Sequence, residues 1–229
     1  MEPNLPQLPG TADWYDKHLN VKLYDLFRRI RPASGWKDLK GSLNSAKVTG
    51  ASQPSWSVVT DSIYAYEFSA SQMNEAWLTF HLTHDLSYGY VKEDGTISHP
   101  HLFPHIHWAS SGTDTGTARL GFEWTYAAGF AAGVFGASST VYIEQAATGV
   151  ALTHMIAETP EADAINSANF ETDGLVLCRI FRDGAHVNDT LTDTIYIFEA
   201  DLHYYSDGLQ TNERDRSTGD LPWTKQSTL

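Results

Sequence analysis

The chain has 229 residues, with 15 Lys+Arg against 28 Asp+Glu, a formal net charge of −13 and one cysteine. That length fits one large domain, and the lone Cys178 excludes an internal disulfide. Charge is unevenly spread, with eight Lys/Arg against five Asp/Glu in residues 1–50 but seven against twenty-three thereafter, and so acidic a body excludes nucleic acid as the main partner.

No stretch approaches the apolar length of a membrane span, and Met1 to Gly10 lacks the charged and apolar regions of a signal peptide. A soluble protein made in a cytoplasm, without a membrane partner, is expected. In chain order, Leu19, Leu23, Leu26, Phe27 and Ile30 fall at helical spacing before Pro32, which predicts an amphipathic helix over about 14–30. Ala33 to Ser57 is rich in Ser, Gly, Pro and Lys and reads as a linker or extended strap. Residues 1–57 are thus expected to be a mildly basic arm suited to an acidic surface.

From Ile63 the apolar period becomes two. Strands are predicted at Ile63 to Phe68, Trp77 to Thr83, Leu102 to Ala109, Arg119 to Ala127, Val141 to Glu144, Ala151 to Ile156, Gly174 to Phe181 and Thr194 to Tyr205. Turn clusters such as Glu93-Asp94-Gly95, Ser110-Ser111-Gly112 and Arg182-Asp183-Gly184 separate several of them. Eight strands predict an all-β domain over 58–206, a β-sandwich of jelly-roll type. The polar residues 207–229 read as a tail. Ala127 to Ser139, small and apolar, is open to three readings: a buried helix, a hairpin or a subunit contact.

His99 to Trp108 holds four histidines, near His81 and His84. Strand alternation points His105 and His107 to one face and Ile106 and Trp108 to the other. That is the geometry of two ligands of one metal, and equally of a strand with a polar outer face. A cupin-like enzyme would need a carboxylate soon after the pair, but Ser110 and Ser111 stand there and the next acid is Asp114. A facial triad would have to borrow Glu123, Asp201 or His203 from a neighbouring strand. Asp183, Asp189 and Asp193 lack the glycine and terminal Glu of a calcium loop and read as a solvated loop. Cys178 lies in an apolar run and reads as core. Most aromatics, including Trp124, Tyr126 and Tyr196, alternate into the apolar side of strands. No catalytic, cofactor-binding or metal residue is assigned, no cofactor is expected, and the chain is not expected to be an enzyme.

Three stretches together resemble a family of tailed-bacteriophage virion structural proteins of unassigned function. They are Phe80-His81-Leu82-Thr83-His84-Asp85 leading to Phe103-Pro104-His105-Ile106-His107-Trp108; Leu120 to Tyr126; and Leu177 to Asp183 followed by Ala200 to Tyr205. The similarity spans about residues 50 to 215 and implies a capsid decoration, head-fibre or tail accessory protein. By that resemblance it works as a homo-oligomer, a trimer by analogy, on a major capsid or tail protein. A host-glycan binding module of a tail fibre is the alternative, and a metal-dependent cupin-like enzyme the third.

Overall fold

The computed structural model describes residues 35–86, 90–91, 97–98, 101–130 and 132–206. The helix expected over 14–30 and the tail 207–229 lie outside them. The strands are β1 (Gly35–Ser42), β2 (Ser55–Thr60), β3 (Ile63–Phe68), β4 (Met73–His81), β5 (Tyr90–Val91), β6 (Ile97–Ser98), β7 (His101–Ser110), β8 (Thr117–Ala127), β9 (Ser139–Ala146), β10 (Met155–Glu158), β11 (Ile165–Asn166), β12 (Leu175–Asp183) and β13 (Ile195–Ser206). Among the described residues no helix is long and apolar enough to cross a membrane.

The chain is an all-β sandwich of two antiparallel sheets. Sheet A runs β10-β7-β13-β3-β2, with β1 along the second half of β13 and β11 beside the start of β7; sheet B runs β4-β12-β8-β9. Its eight principal strands answer to the eight expected from the sequence, although β10 meets the expected Ala151 to Ile156 only at Met155 and Ile156. The first pairs with the eighth (β3 with β13), the second with the seventh (β4 with β12), the third with the sixth (β7 with β10) and the fourth with the fifth (β8 with β9). That nested pairing is a long hairpin rolled once, closed by β13 on β7 and β12 on β8, and it is the jelly-roll order.

The core lies between the sheets. Phe68, Ile106, Trp108, Ile197 and Leu202 of sheet A meet Leu78, Phe80, Leu120, Phe122, Val176 and Ile180 of sheet B, all buried. Each such side chain contributes about 1.5–3 kcal/mol by leaving water. Trp108 is the largest fully buried side chain, and its indole N–H donates to Gln145 Oε1 at 2.7 Å, so its one polar atom is satisfied across the sandwich. Cys178 faces this core, and burial pushes its thiol well above the ordinary range, as expected of an inert packing residue.

The sandwich begins earlier than residue 58. All eight residues of β1 pair with β13, and Leu43 just after it is buried in the core. Only Gly41 of β1 is buried, so the strand carries no apolar alternation and its sequence resembles a strap. A Cβ on Gly41 would stand 2.5 Å from the Ala200 carbonyl oxygen and 2.7 Å from the Phe80 ring, so glycine is what lets β1 lie this close. Ala151 to His154 form a turn before β10 rather than its first half.

Candidate functional site

The outer face of sheet A carries the histidines. Ile106 and Trp108 fill the core, so His105 and His107 point away from the space between the sheets. A metal held between the sheets is therefore out of reach of this pair.

A bulge in β13 supplies the partners. Ile195 and Ile197 face the core at odd positions, whereas Ala200, Leu202 and Tyr204 face it at even ones, because the register shifts between Ile197 and Glu199. The shift turns Asp201 and His203 outward. It also leaves Tyr196 on the side opposite Ile195 and Ile197, buried there with its hydroxyl donating to the Val58 carbonyl at 2.8 Å. Tyr196 is thus not on the core side of its strand, unlike Trp124 and Tyr126, which pack against the core.

In register, His105 lies between Glu158 of β10 and Asp201 of β13, while His203 lies between Phe103 of β7 and Asp38 of β1. His105 is 1% exposed and Asp201 1%, both buried although they lie on the outer side. His105 Nε2 is 3.6 Å from Asp201 Oδ2, and His107 Nε2 is 3.5 Å from the same oxygen. Asp201 Oδ1 accepts the Gly41 N–H at 3.0 Å. His107 Nδ1 is 2.9 Å from His154 Nε2, and the two rings stack at 9°. His203 is held between two carboxylates, with Nδ1 2.5 Å from Glu158 Oε2 and Nε2 2.7 Å from Asp38 Oδ1. The Nδ1 of His105 is buried without a well-formed hydrogen bond.

The charges divide the two histidines. Burial works against a charged His105, but Asp201, the Phe103 backbone and Asp38 outweigh it and raise its pKa above the ordinary value. Burial lowers that of His107, and the neighbouring His105 and His154 add to the effect. Burial also opposes ionisation of Asp201, yet His105, the Gly41 N–H and His107 carry its carboxyl below the usual range.

Two triads of ligand atoms arise here, Asp38/His105/His203 and His105/His107/Asp201. Of the three acids and bases that sequence offered to complete a facial triad, Asp201 joins the pair, His203 stands beside it, and Glu123 does not. Glu123 is on sheet B, where it accepts from Ser138 and Arg179. His81 and His84 form a separate cluster on Asp173, at 3.0 and 3.1 Å. His99 lies outside the described residues. Asp38, His154 and Glu158 were not expected; Asp38 sits in the stretch read as a linker, and the other two carry no spacing signal.

Beside the triads, Trp36, Phe103, Glu158 and His203 line a shallow pocket of about 360 Å³. Trp36 is 57% exposed and meets Phe103 and Tyr205 edge-on at ring distances of 5.4 and 5.7 Å.

The acidic loop is not solvated as expected. The Asp189 carboxylate is buried against Arg182, whose Nε and Nη2 donate to its two oxygens at 2.9 and 2.8 Å. Arg182 also donates to the carbonyls of Asp193 and Leu191, and Asp193 accepts the Asp114 N–H at 2.8 Å. Of the three acids, Asp189 gives its carboxylate and Asp193 its main-chain carbonyl to the buried Arg182, while Asp183 faces Arg119 Nε at 3.6 Å.

A scan against protein-family models gives no match, and a search of curated proteins gives none. Among solved structures, dimeric latent PorU from Porphyromonas gingivalis is similar at 11% identity and a TM-score of 0.30, over 76% of this chain and 13% of that one. A likeness that low carries no argument about fold or function.

Proposed function

We propose that this chain is a structural component of a tailed-phage particle, a capsid decoration, head-fibre or tail accessory protein that acts by homo-oligomeric assembly. One observation carries the assembly reading. The connection between β8 and β9, residues 128–138, contains no charged side chain and holds Phe130 at 50%, Val134 at 88% and Phe135 at 41% exposure. Its described residues form no helix and no strand, and it is the loop that closes the antiparallel pair of β8 and β9. Its stem is tied down, with the Phe130 N–H on Glu171 Oε1 at 2.9 Å and Thr125 Oγ1 on the Gly136 carbonyl at 3.1 Å. A fixed loop that presents apolar groups to water is suited to covering by a second subunit. The virion placement rests on the sequence resemblance, with other virion proteins as further partners and neither nucleic acid nor membrane among them.

Native mass spectrometry of the full chain tests the assembly. A closed oligomer, a trimer on this reading, is expected, and Val134→Asp with Phe135→Asp should give a folded monomer. A monomeric parent chain at micromolar concentration overturns self-assembly. Peptides of the chain are expected in digests of purified particles, and their absence overturns the virion placement.

The pocket at Trp36 favours a second reading, a host-glycan binding module, because an exposed indole beside carboxylates is the chemistry that stacks on and hydrogen-bonds a sugar ring. A glycan array that retains nothing removes it.

A further inference from the structure

We propose that His105, His107 and Asp201 form a binding site for one divalent transition-metal ion on the outer face of sheet A. This inference does not depend on the assembly reading. Two imidazoles and one carboxylate suit Zn²⁺, Fe²⁺ or Co²⁺, and the three groups come from adjacent strands, β7 and β13.

Spacing is the first argument. The distances from Asp201 Oδ2 to His105 Nε2 and His107 Nε2, 3.6 and 3.5 Å, exceed hydrogen-bond length. They lie close to the separation of about 3.4 Å between two ligands of a tetrahedral ion with bonds of about 2.0–2.1 Å. A polar network built for its own sake would close these gaps. His203 shows that closure, at 2.5 and 2.7 Å from its two carboxylates on the same sheet face.

The second argument is the outer support. Metal-binding histidines usually direct their other ring nitrogen to a polar partner, and ligating carboxylates are themselves hydrogen-bonded. With Nε2 of His107 turned to the ion, Nδ1 carries the proton and donates to His154 Nε2 at 2.9 Å. The second oxygen of Asp201 accepts the Gly41 N–H. Burial adds a third argument. The side chains of His105 and Asp201 are each 2% exposed, so three donors converge in a dry setting, and His107, at 19%, marks the side from which an ion enters.

The competing triad is the weaker choice. It shares His105 Nε2, whose single lone pair cannot serve two ions at once, and its Asp38 oxygen stands 4.0 Å from that nitrogen while already taken by His203. The site would tie β7 to β13 directly and, through Gly41, to β1.

The test is a Co²⁺ titration of the full chain after chelator treatment, read by visible d–d absorption and by thermal unfolding, with Zn²⁺ as competitor. One ion per chain, a d–d band of low-coordinate Co²⁺ abolished by Zn²⁺ and a raised Tm are expected. His107→Ala and Asp201→Asn should each lose stoichiometric binding, His154→Ala should weaken it about ten- to a hundredfold, and His203→Ala should retain it. Far-UV circular dichroism checks folding, and His154→Ala, which leaves all three ligands in place, serves should a ligand variant not fold. No band at millimolar Co²⁺ overturns the site. So does binding that survives in both His107→Ala and Asp201→Asn, or binding lost in His203→Ala and kept in Asp201→Asn.

Discussion

Arg182 is fully buried, and a guanidinium in that position is tolerable only because each of its five N–H donors finds an oxygen: two from Asp189 and three from the carbonyls of Leu191, Asp193 and Phe68. Asp189 Oδ2 also accepts the Arg119 N–H at 3.0 Å, so the pair pins the loop after β12 to the start of β8. Removing one member leaves the other charged and unpaired in the interior. Asp189→Ala should therefore cost about 3–5 kcal/mol of unfolding free energy, measured by urea denaturation. Replacing both, as Arg182→Met with Asp189→Leu, should recover only part of that loss, because the Leu191 and Asp193 carbonyls and the Arg119 N–H lose their partners too. The three acids of this loop were read from sequence as solvated, since acid spacing alone gives no sign that Arg182, at the end of the strand leading into the loop, turns its guanidinium onto Asp189.

At the scale of elements, Asp85 shows what fastens β1 and the end of β13 to the rest. Lys37 of β1 donates to it at 2.5 Å, Tyr204 and Ser206 of β13 at 3.0 and 2.8 Å, and Thr83 at 2.7 Å. Burial works to raise the carboxyl, but these four donors prevail and lower its pKa from 3.8 to about 2. A depressed folded pKa means a contribution that is complete above about pH 4 and is lost as the pH falls toward 2. Unfolding free energy measured across the acid range should drop through this window in the parent chain. The drop should be smaller in Asp85→Asn, which should lose about 1–2 kcal/mol at neutral pH after screening by solvent. Most of the principal strands were legible because apolar positions alternate along them, as at Leu120, Phe122 and Trp124, whereas β10 was placed too early because its one buried residue, Ala157, follows the expected range. β1 was not legible, because its one buried position is a glycine. The His105/His107 pair was legible as a shared face, and Asp201 was among the candidate partners. What singles out Asp201 is the bulge after Ile197, which depends on how β13 lies on β7 and leaves no mark in local spacing.

For the whole molecule, the question is where the folded unit begins. The N-terminal stretch read as arm and linker contains two different things: residues from Gly35 onward that complete sheet A, and the mildly basic residues before them, for which we propose docking on an acidic surface of the particle. β1 supplies eight pairs to β13, the Gly41 N–H to Asp201, Lys37 to Asp85 and, through the chain that follows, Leu43 to the core. Every member of that set lies within the described residues from Gly35 onward. A chain lacking 1–32 should unfold at nearly the parent denaturant midpoint yet fail to bind particles, whereas one lacking 1–45 should leave the outer edge of β13 uncovered and lose cooperative unfolding. The two deletions separate anchoring from folding, with far-UV circular dichroism and urea titration reading the one and sedimentation with purified particles the other. Normal decoration by the shorter deletion overturns docking through the arm. A stable, cooperative fold in the longer deletion would mean that β1 is laid on the sandwich after it forms and is not part of what closes it.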